Sequence, residues 1–144
     1  MAAAIKINRL TPEEAAYLAG LIDGEGTITL TRVHRGENRR LVVSVSNNDR
    51  CLLDFVRTSI GAGRITNKRT YSARHAPSFA YQISSRQALD LLRHVVPYLK
   101  TYRAKRASLA LSEYLRLTPR NGRYRPAVAA SRREFELRLL AIKS

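Results

Sequence analysis

Residues 18–26, LAGLIDGEG, set two carboxylates, Asp23 and Glu25, among three glycines, Gly20, Gly24 and Gly26, directly behind an apolar stretch. Acids are scarce in this chain: 11 Asp and Glu stand against 26 Lys and Arg, a formal net charge of +15. Clustered carboxylates in so cationic a protein point to a divalent metal. Hard oxygen ligands suit Mg²⁺, which keeps waters and accepts phosphate oxygens from a substrate; Mn²⁺ or Ca²⁺ fit the same kind of ligand. Such an ion generates a nucleophilic hydroxide and stabilises the leaving oxygen of an in-line displacement at phosphorus. On this reading the acids carry the chemistry and the basic surface grips a polyanion.

The charge sets the partner. A domain this basic repels itself unless a polyanion neutralises it, so nucleic acid leads. Anionic membrane is the rival, but the chain carries neither a convincing basic amphipathic segment nor a lipidation signal. No apolar run approaches the length of a membrane span, and MAAAIKINRL is too short and polar for a signal peptide. The expectation is a soluble intracellular protein. Its 144 residues suggest one domain over 1–144. A single cysteine, Cys51, excludes an internal disulfide framework and a Cys-rich zinc site; in RCLLDFV it reads as a small core residue. His34, His75 and His94 lack metal-ligand spacing.

The elements that must position the acids follow from patterning. Thr11 caps a helix, Pro12 suits its first position and Glu14 completes a capping box, so a helix runs to about Asp23 and stops at the glycines. TITLTRV, 27–33, and RLVVSVSN, 40–47, read as strands around the turn HRGENR. A helix from about Asp49 to Ile60 ends at GAG. RITNKRTY and SFAYQIS form a second hairpin around SARHAP, with Phe79, Tyr81 and Ile83 inward. Ser84 and Gln87 fit a capping box for a helix over 85–96, which Pro97 ends. A long helix from about Tyr102 to Leu117, the loop TPRNGRYRPAV and a last helix over about 131–142 complete an α-β-β-α-β-β-α order with a C-terminal extension, 118–144.

Each strand carries one apolar and one polar face, which predicts an α+β fold: an antiparallel sheet with helices on one side. The other side is left bare. Thr29, Thr31, Arg40, Ser44, Ser46, Thr66, Lys68, Thr70 and Gln82 share that bare face by parity. These side chains read base edges and hold phosphates, although an ordinary solvated face has the same pattern. Arg35, Arg39, Arg69 and Arg74 in the hairpin turns are candidate phosphate contacts, and Arg120, Arg123 and Arg125 candidate contacts to DNA flanks. The stripe Leu109, Ser112, Glu113 and Arg116 reads as plain helix surface.

The first helix carries two stripes. Tyr17, Leu18, Leu21 and Ile22 form an apolar arc suited to the core. Ala16, Gly20 and Gly24 recur every four residues on another side. A helix-interior glycine costs about 1 kcal/mol relative to alanine, so Gly20 needs a reason. A small-residue ridge admits a second helix backbone, either that of a second subunit or, more plainly, the protein's own strands. Two-fold symmetry would bring two copies of Asp23 and Glu25 together.

LAGLIDGEG closely resembles the name-giving motif of the LAGLIDADG homing endonucleases, and the element order over about residues 10–117 is similar to their saddle-shaped fold. The resemblance implies a homodimeric, Mg²⁺-dependent, site-specific endonuclease for double-stranded DNA, because a single motif supplies one acid per chain. Its target would be palindromic or nearly so. The family's catalytic metal-binding acid falls on Glu25, where aspartate is commoner, and its carbonyl ligand on Gly24. Asp23 is left to brace the helix junction. The polar residue ending the second strand falls on Asn47, with Asn48 nearby. The basic residue after the third helix falls among Lys100, Arg103 and Lys105, with Arg103 preferred and Lys100 second. The same resemblance admits a non-cleaving binder, an intron RNA maturase or a transcription regulator. It suggests work at nucleoid or organelle DNA, with intron RNA as a second candidate partner.

Overall fold

The computed structural model describes residues 6–68 and 77–143. Its elements are α1 (Pro12–Glu25), β1 (Gly26–Thr31), β2 (Arg40–Asn47), α2 (Arg50–Ile60), β3 (Arg64–Lys68), β4 (Ser78–Ser84), α3 (Ser85–Val95), α4 (Arg103–Glu113) and α5 (Pro126–Ala141), with a 3-10 turn, Val96–Tyr98, after α3. The expected α+β order is present. The four strands form one antiparallel sheet in the order β1-β2-β4-β3.

Register sorts the side chains. Ile28, Val43 and Ile83 lie across from one another, as do Val45 and Tyr81, and Leu30 and Leu41. All seven are buried, and they join Leu18 and Ile22 of α1, Leu53 and Val56 of α2, and Leu89 and Leu92 of α3 in the core. Full burial of one such side chain stabilises by about 1.5–3 kcal/mol. The core also takes in Phe135 and Leu139, so α5 packs into it. On the opposite face Val42 and Ala80 interrupt the polar row, and Val42 is buried at 2 % exposure.

Several boundaries differ from those expected. The Thr11 capping box forms in full, but α1 continues through Gly24 to Glu25. Strand β1 ends at Thr31 rather than 33, because the Glu37 carboxylate collects the Val33 and His34 N–H groups (2.8 and 2.7 Å) and curls the chain out of the ladder. Ser84 makes no side-chain cap on α3. Ser85 takes a left-handed backbone (φ 57°), so the chain turns sharply into the helix there. Helix α4 ends earlier than expected, at Glu113. Helix α5 begins five residues early, with Pro126 at its first position, where the missing N–H costs nothing. Cys51 is exposed, not core: the buried stripe of α2 is Leu53, Val56 and Ile60, and Cys51 lies two helical steps from Leu53, on the far side.

The arc of α1 is also rotated from the expected one. Ala15, Leu18, Ala19 and Ile22 are buried, Leu21 is half-buried, and Tyr17 is 50 % exposed, edge-on to Phe55 at 5.6 Å. Ala16, Gly20 and Gly24 are exposed, and a Cβ at Gly20 or Gly24 would meet nothing within 4 Å. Packing of that ridge against the protein's own strands is thereby excluded. Of the three motif glycines Gly26 has the steric duty: a Cβ there would lie 2.7 Å from Ile22 Cα and 3.1 Å from the Ser44 carbonyl. Only hydrogen fits where the helix hands over to β1.

Candidate functional site

Helix α1 delivers its two acids into different surroundings. Asp23 is half-buried and takes three donors: its Oδ2 accepts from the Lys100 N–H (2.8 Å), and its Oδ1 from the Thr101 N–H (3.2 Å) and hydroxyl (2.6 Å). Burial pushes its pKa up, but the Thr101 hydroxyl, the two N–H groups and the Arg103 charge together outweigh that and hold the carboxyl below its usual 3.8. Asp23 therefore ties the end of α1 to the turn before α4. It braces the junction.

Glu25 is exposed and has one protein donor among the described residues, the Asn47 Nδ2 at 2.6 Å. Asn47 is fixed in turn, since its Oδ1 accepts from the Asp49 N–H (2.7 Å), and Asp49 caps α2 through the Cys51 N–H (2.9 Å). The capped start of α2 thus aims the amide that aims the acid. Helix geometry adds to this: the last carbonyls of α1, Gly24 among them, have no later helical N–H to bond and carry the negative end of the helix dipole. No basic side chain occupies that last turn. Exposed carboxylate and free carbonyls make a hard-oxygen, cation-attracting end.

The two basic candidates are held differently. Arg103 donates through Nε to the Gly26 carbonyl (2.7 Å) and through Nη1 to the Thr101 hydroxyl (3.3 Å), and stacks 4.9 Å from the Tyr102 ring centroid. It is anchored to the residue directly after Glu25. Lys100 gives its backbone N–H to Asp23 while its side chain is exposed. Lys105 is exposed too. Among the described residues no three His, Cys, Asp or Glu gather as a metal site; of the two acids at the end of α1, Glu25 is the exposed one.

The sheet's outer face runs from this acid. Gly26 pairs with Val45 and Thr31 with Arg40, so the β1–β2 hairpin points away from Glu25, while β4 begins beside Asn47, with Phe79 its partner. Thr29, Thr31, Arg40, Ser44, Ser46, Thr66, Lys68 and Gln82 all lie on this face, in register. Arg40, Thr66 and Lys68 are exposed and the others half-buried. Thr70 and Arg74, with Arg69 and His75, lie outside the described residues. Arg64 belongs to the face and was missed, although its parity with Thr66 and Lys68 gave the signal. Contacts within the face are loose: Arg64 to Gln82 and Lys68 to Ser46, each at 3.4 Å. Arg39, by contrast, is not a free phosphate contact, for its guanidinium pairs with Glu136 at 3.0 Å.

A family described as a LAGLIDADG-like domain matches residues 12–96. No curated protein matches the chain. Among solved structures it is similar to the homing endonuclease I-CvuI, in complex with its target in the presence of Ca: TM-score 0.73, 20 % identity, 92 % of this chain and 83 % of that one. It is similar also to the archaeal intron-encoded homing endonuclease I-Vdi141I complexed with DNA: TM-score 0.61, 14 % identity, 92 % and 85 %. A third, the LAGLIDADG homing endonuclease I-GzeII with its DNA target, gives TM-score 0.68 and 15 % identity over 94 % of this chain and 45 % of that one. At these identities the likeness is one of fold.

Proposed function

The chain belongs to the LAGLIDADG family, and from that premise we propose that it is a homodimeric, divalent-metal-dependent, site-specific endonuclease of double-stranded DNA. The observation that carries the reading is the available Glu25 at the end of the helix whose Ala16, Gly20 and Gly24 stripe stands open. A second copy seated on that stripe brings a second Glu25 beside the first, one acid for each strand. The donor set fits Mg²⁺ as half of a shared site: Glu25 and the Gly24 carbonyl are hard oxygens, too few for a closed cage and suited to an ion completed by water and phosphate. When bound, that ion supplies Lewis acidity at the scissile phosphate and at water.

The chain's own residues do the rest. Asn47 holds the Glu25 carboxylate in one orientation. Arg103, anchored on Gly26, presents cationic charge next to the acid, and Lys100 offers a second, exposed charge. Both stabilise negative charge developing on phosphate oxygens. The outer face grips the duplex: Arg64 and Lys68 exchange their loose contacts for phosphates and base edges, the exposed Arg40 joins them, and Thr29, Thr31, Ser44, Ser46, Thr66 and Gln82 read by hydrogen bonding. Thr70 and Arg74, further DNA contacts on the sequence reading, lie outside the described residues.

The test is incubation of the purified chain with a randomised duplex library, with and without Mg²⁺, and sequencing of the products. Cleavage at one near-palindromic site only with metal is expected; tight binding without product under any divalent ion would make the chain a binder instead. Gly20→Leu should abolish the dimer, because a bulky side chain cannot fit between two helix backbones. With open space in the monomer at that position, the variant should still fold, so sedimentation separates the two outcomes. An intact dimer would remove the α1 stripe as the interface.

A further inference from the structure

Two fully buried charges stand in α5: Arg132 at 1 % and Glu136 at 2 % exposure. Removing a charge from water is costly unless every polar atom finds a partner, and among the described residues no buried side-chain polar atom lacks one. Arg132 Nε donates to Glu136 Oε2 (3.1 Å), Nη1 to the Leu117 carbonyl (3.2 Å) and the Thr118 hydroxyl, and Nη2 to the Arg39 carbonyl (2.5 Å). Glu136 accepts the Arg39 N–H (3.1 Å) and the Arg39 Nη1 (3.0 Å).

The pair therefore grips one residue by its N–H, its carbonyl and its guanidinium. That residue, Arg39, closes the loop 32–39, and Arg40 follows it as the first residue of β2. Arg32 and Arg35 are exposed on the same loop, whose inner turn is already closed by Glu37. A second fastening ties α5 to β1: Arg106 donates to the Ile28, Leu140 and Ile142 carbonyls (2.9, 3.3 and 2.8 Å). Stability alone would be served as well by apolar side chains of similar volume. What the polar clamp adds is a fixed loop geometry.

We propose that Arg132 and Glu136 are positioning residues for DNA recognition: by clamping Arg39 they hold the β1–β2 loop, with Arg32, Arg35 and Arg40, against the outer part of the DNA half-site. The outer part is meant because β1 runs for six residues away from Glu25 before the loop begins. The inference rests on the endonuclease reading and assigns α5 a role in it.

The experiment uses the full-length chain, its cognate duplex, and two variants: Glu136→Gln, and the apolar pair Arg132→Met with Glu136→Leu, which refills the space if the single change unfolds the protein. Amide exchange across residues 33–40 should accelerate by about tenfold or more once the clamp is gone. Affinity should fall about tenfold, with discrimination lost at outer base pairs and kept near the cut. Cleavage of saturated DNA should stay within about twofold, since Glu25 lies at the other end of the hairpin. A wild-type binding profile in the apolar pair, or a loss spread evenly over all positions, overturns the proposal. If wild-type protein neither binds nor cuts DNA, the endonuclease reading falls and this role falls with it. Exchange that stays slow in variants of a cleaving enzyme overturns the clamp alone.

Discussion

The end of α1 and the middle of α5 each set a carboxylate among basic side chains, and they treat it in opposite ways. Glu136 is buried and receives the Arg39 N–H, the Arg39 guanidinium and the Arg132 Nε. Glu25 is exposed and receives only the Asn47 amide among the described residues. Asp23, two residues before Glu25, follows the Glu136 pattern with three donors from Lys100 and Thr101. An ionised carboxylate has about four acceptor positions. Where three donors from the protein engage the carboxylate it is a brace; where one does, most of its acceptor positions are left to a cation. A neighbouring arginine does not separate the two cases, because Arg103 is anchored beside Glu25 as Arg132 and Arg39 are against Glu136.

The sharpest way to break this comparison is at Glu25. Glu25→Gln keeps the shape and an oxygen for Asn47 but removes the charge, so cleavage should fall by at least about a thousandfold while DNA affinity holds. Nicking of a plasmid carrying the target site reads the result. Residual nicking at the wild-type rate would transfer the essential role to another acid. Glu136→Ala should act on the opposite quantity, leaving an uncompensated buried guanidinium and lowering stability by about 3–5 kcal/mol. Urea unfolding measures it, and a loss below about 1 kcal/mol would mean that the pair behaves as a surface ion pair.

Asp23→Ala comes next, at about 1–2 kcal/mol of stability, because its charge-assisted hydrogen bonds are discounted by partial exposure. The pH dependence gives the sign. With its folded pKa below the unfolded value, Asp23 stabilises at pH above about 4, and that contribution is lost as pH falls through the folded value. The gap between wild type and Asp23→Ala should therefore be constant near neutrality and shrink under acid. A gap unchanged at about pH 2 would assign the effect to packing instead of charge.

How much of this was legible from sequence depends on the range of the interaction. Strands β2 and β4 coincide with the expected 40–47 and 78–84, because alternation and adjacent turn residues are local signals. The α1 arc was misjudged by one residue: Tyr17 and Leu18 are neighbours in sequence, and only tertiary packing decides which of them turns inward. The different fates of Asp23 and Glu25 hang on Thr101, 78 residues away. Resemblance to the family separated the two acids; spacing did not. Arg132 and Glu136 stand at the i,i+4 spacing common to exposed helix pairs, and nothing local announces that Arg39, 97 residues from Glu136, lies over them. Buried charge is a tertiary fact.

The smallest effect should come from Lys68, where the comparison extends from acids to bases. Arg132 has four of its five N–H donors bonded inside the protein. Lys68 is exposed and, among the described residues, reaches only the Ser46 hydroxyl at 3.4 Å, so its ammonium is nearly as available as Glu25's carboxylate. It pairs in register with Ser78 on the strand that begins beside Asn47, which sets it on the part of the outer face nearer the acid. If that face enters the major groove, Lys68 donates to a guanine edge, and Lys68→Ala should cost about 1 kcal/mol, the low end for a base contact. The loss should fall on one base pair in each half-site, mirrored by the dimer axis, and on a different base pair from those affected by releasing the β1–β2 loop. Binding over single-base variants of the site at two salt concentrations separates the possibilities. A base reader flattens the profile at its own position. A phosphate contact lowers every sequence alike and reduces the salt dependence by about one unit, an outcome that would make Lys68 part of the grip and leave reading to the neutral side chains around it.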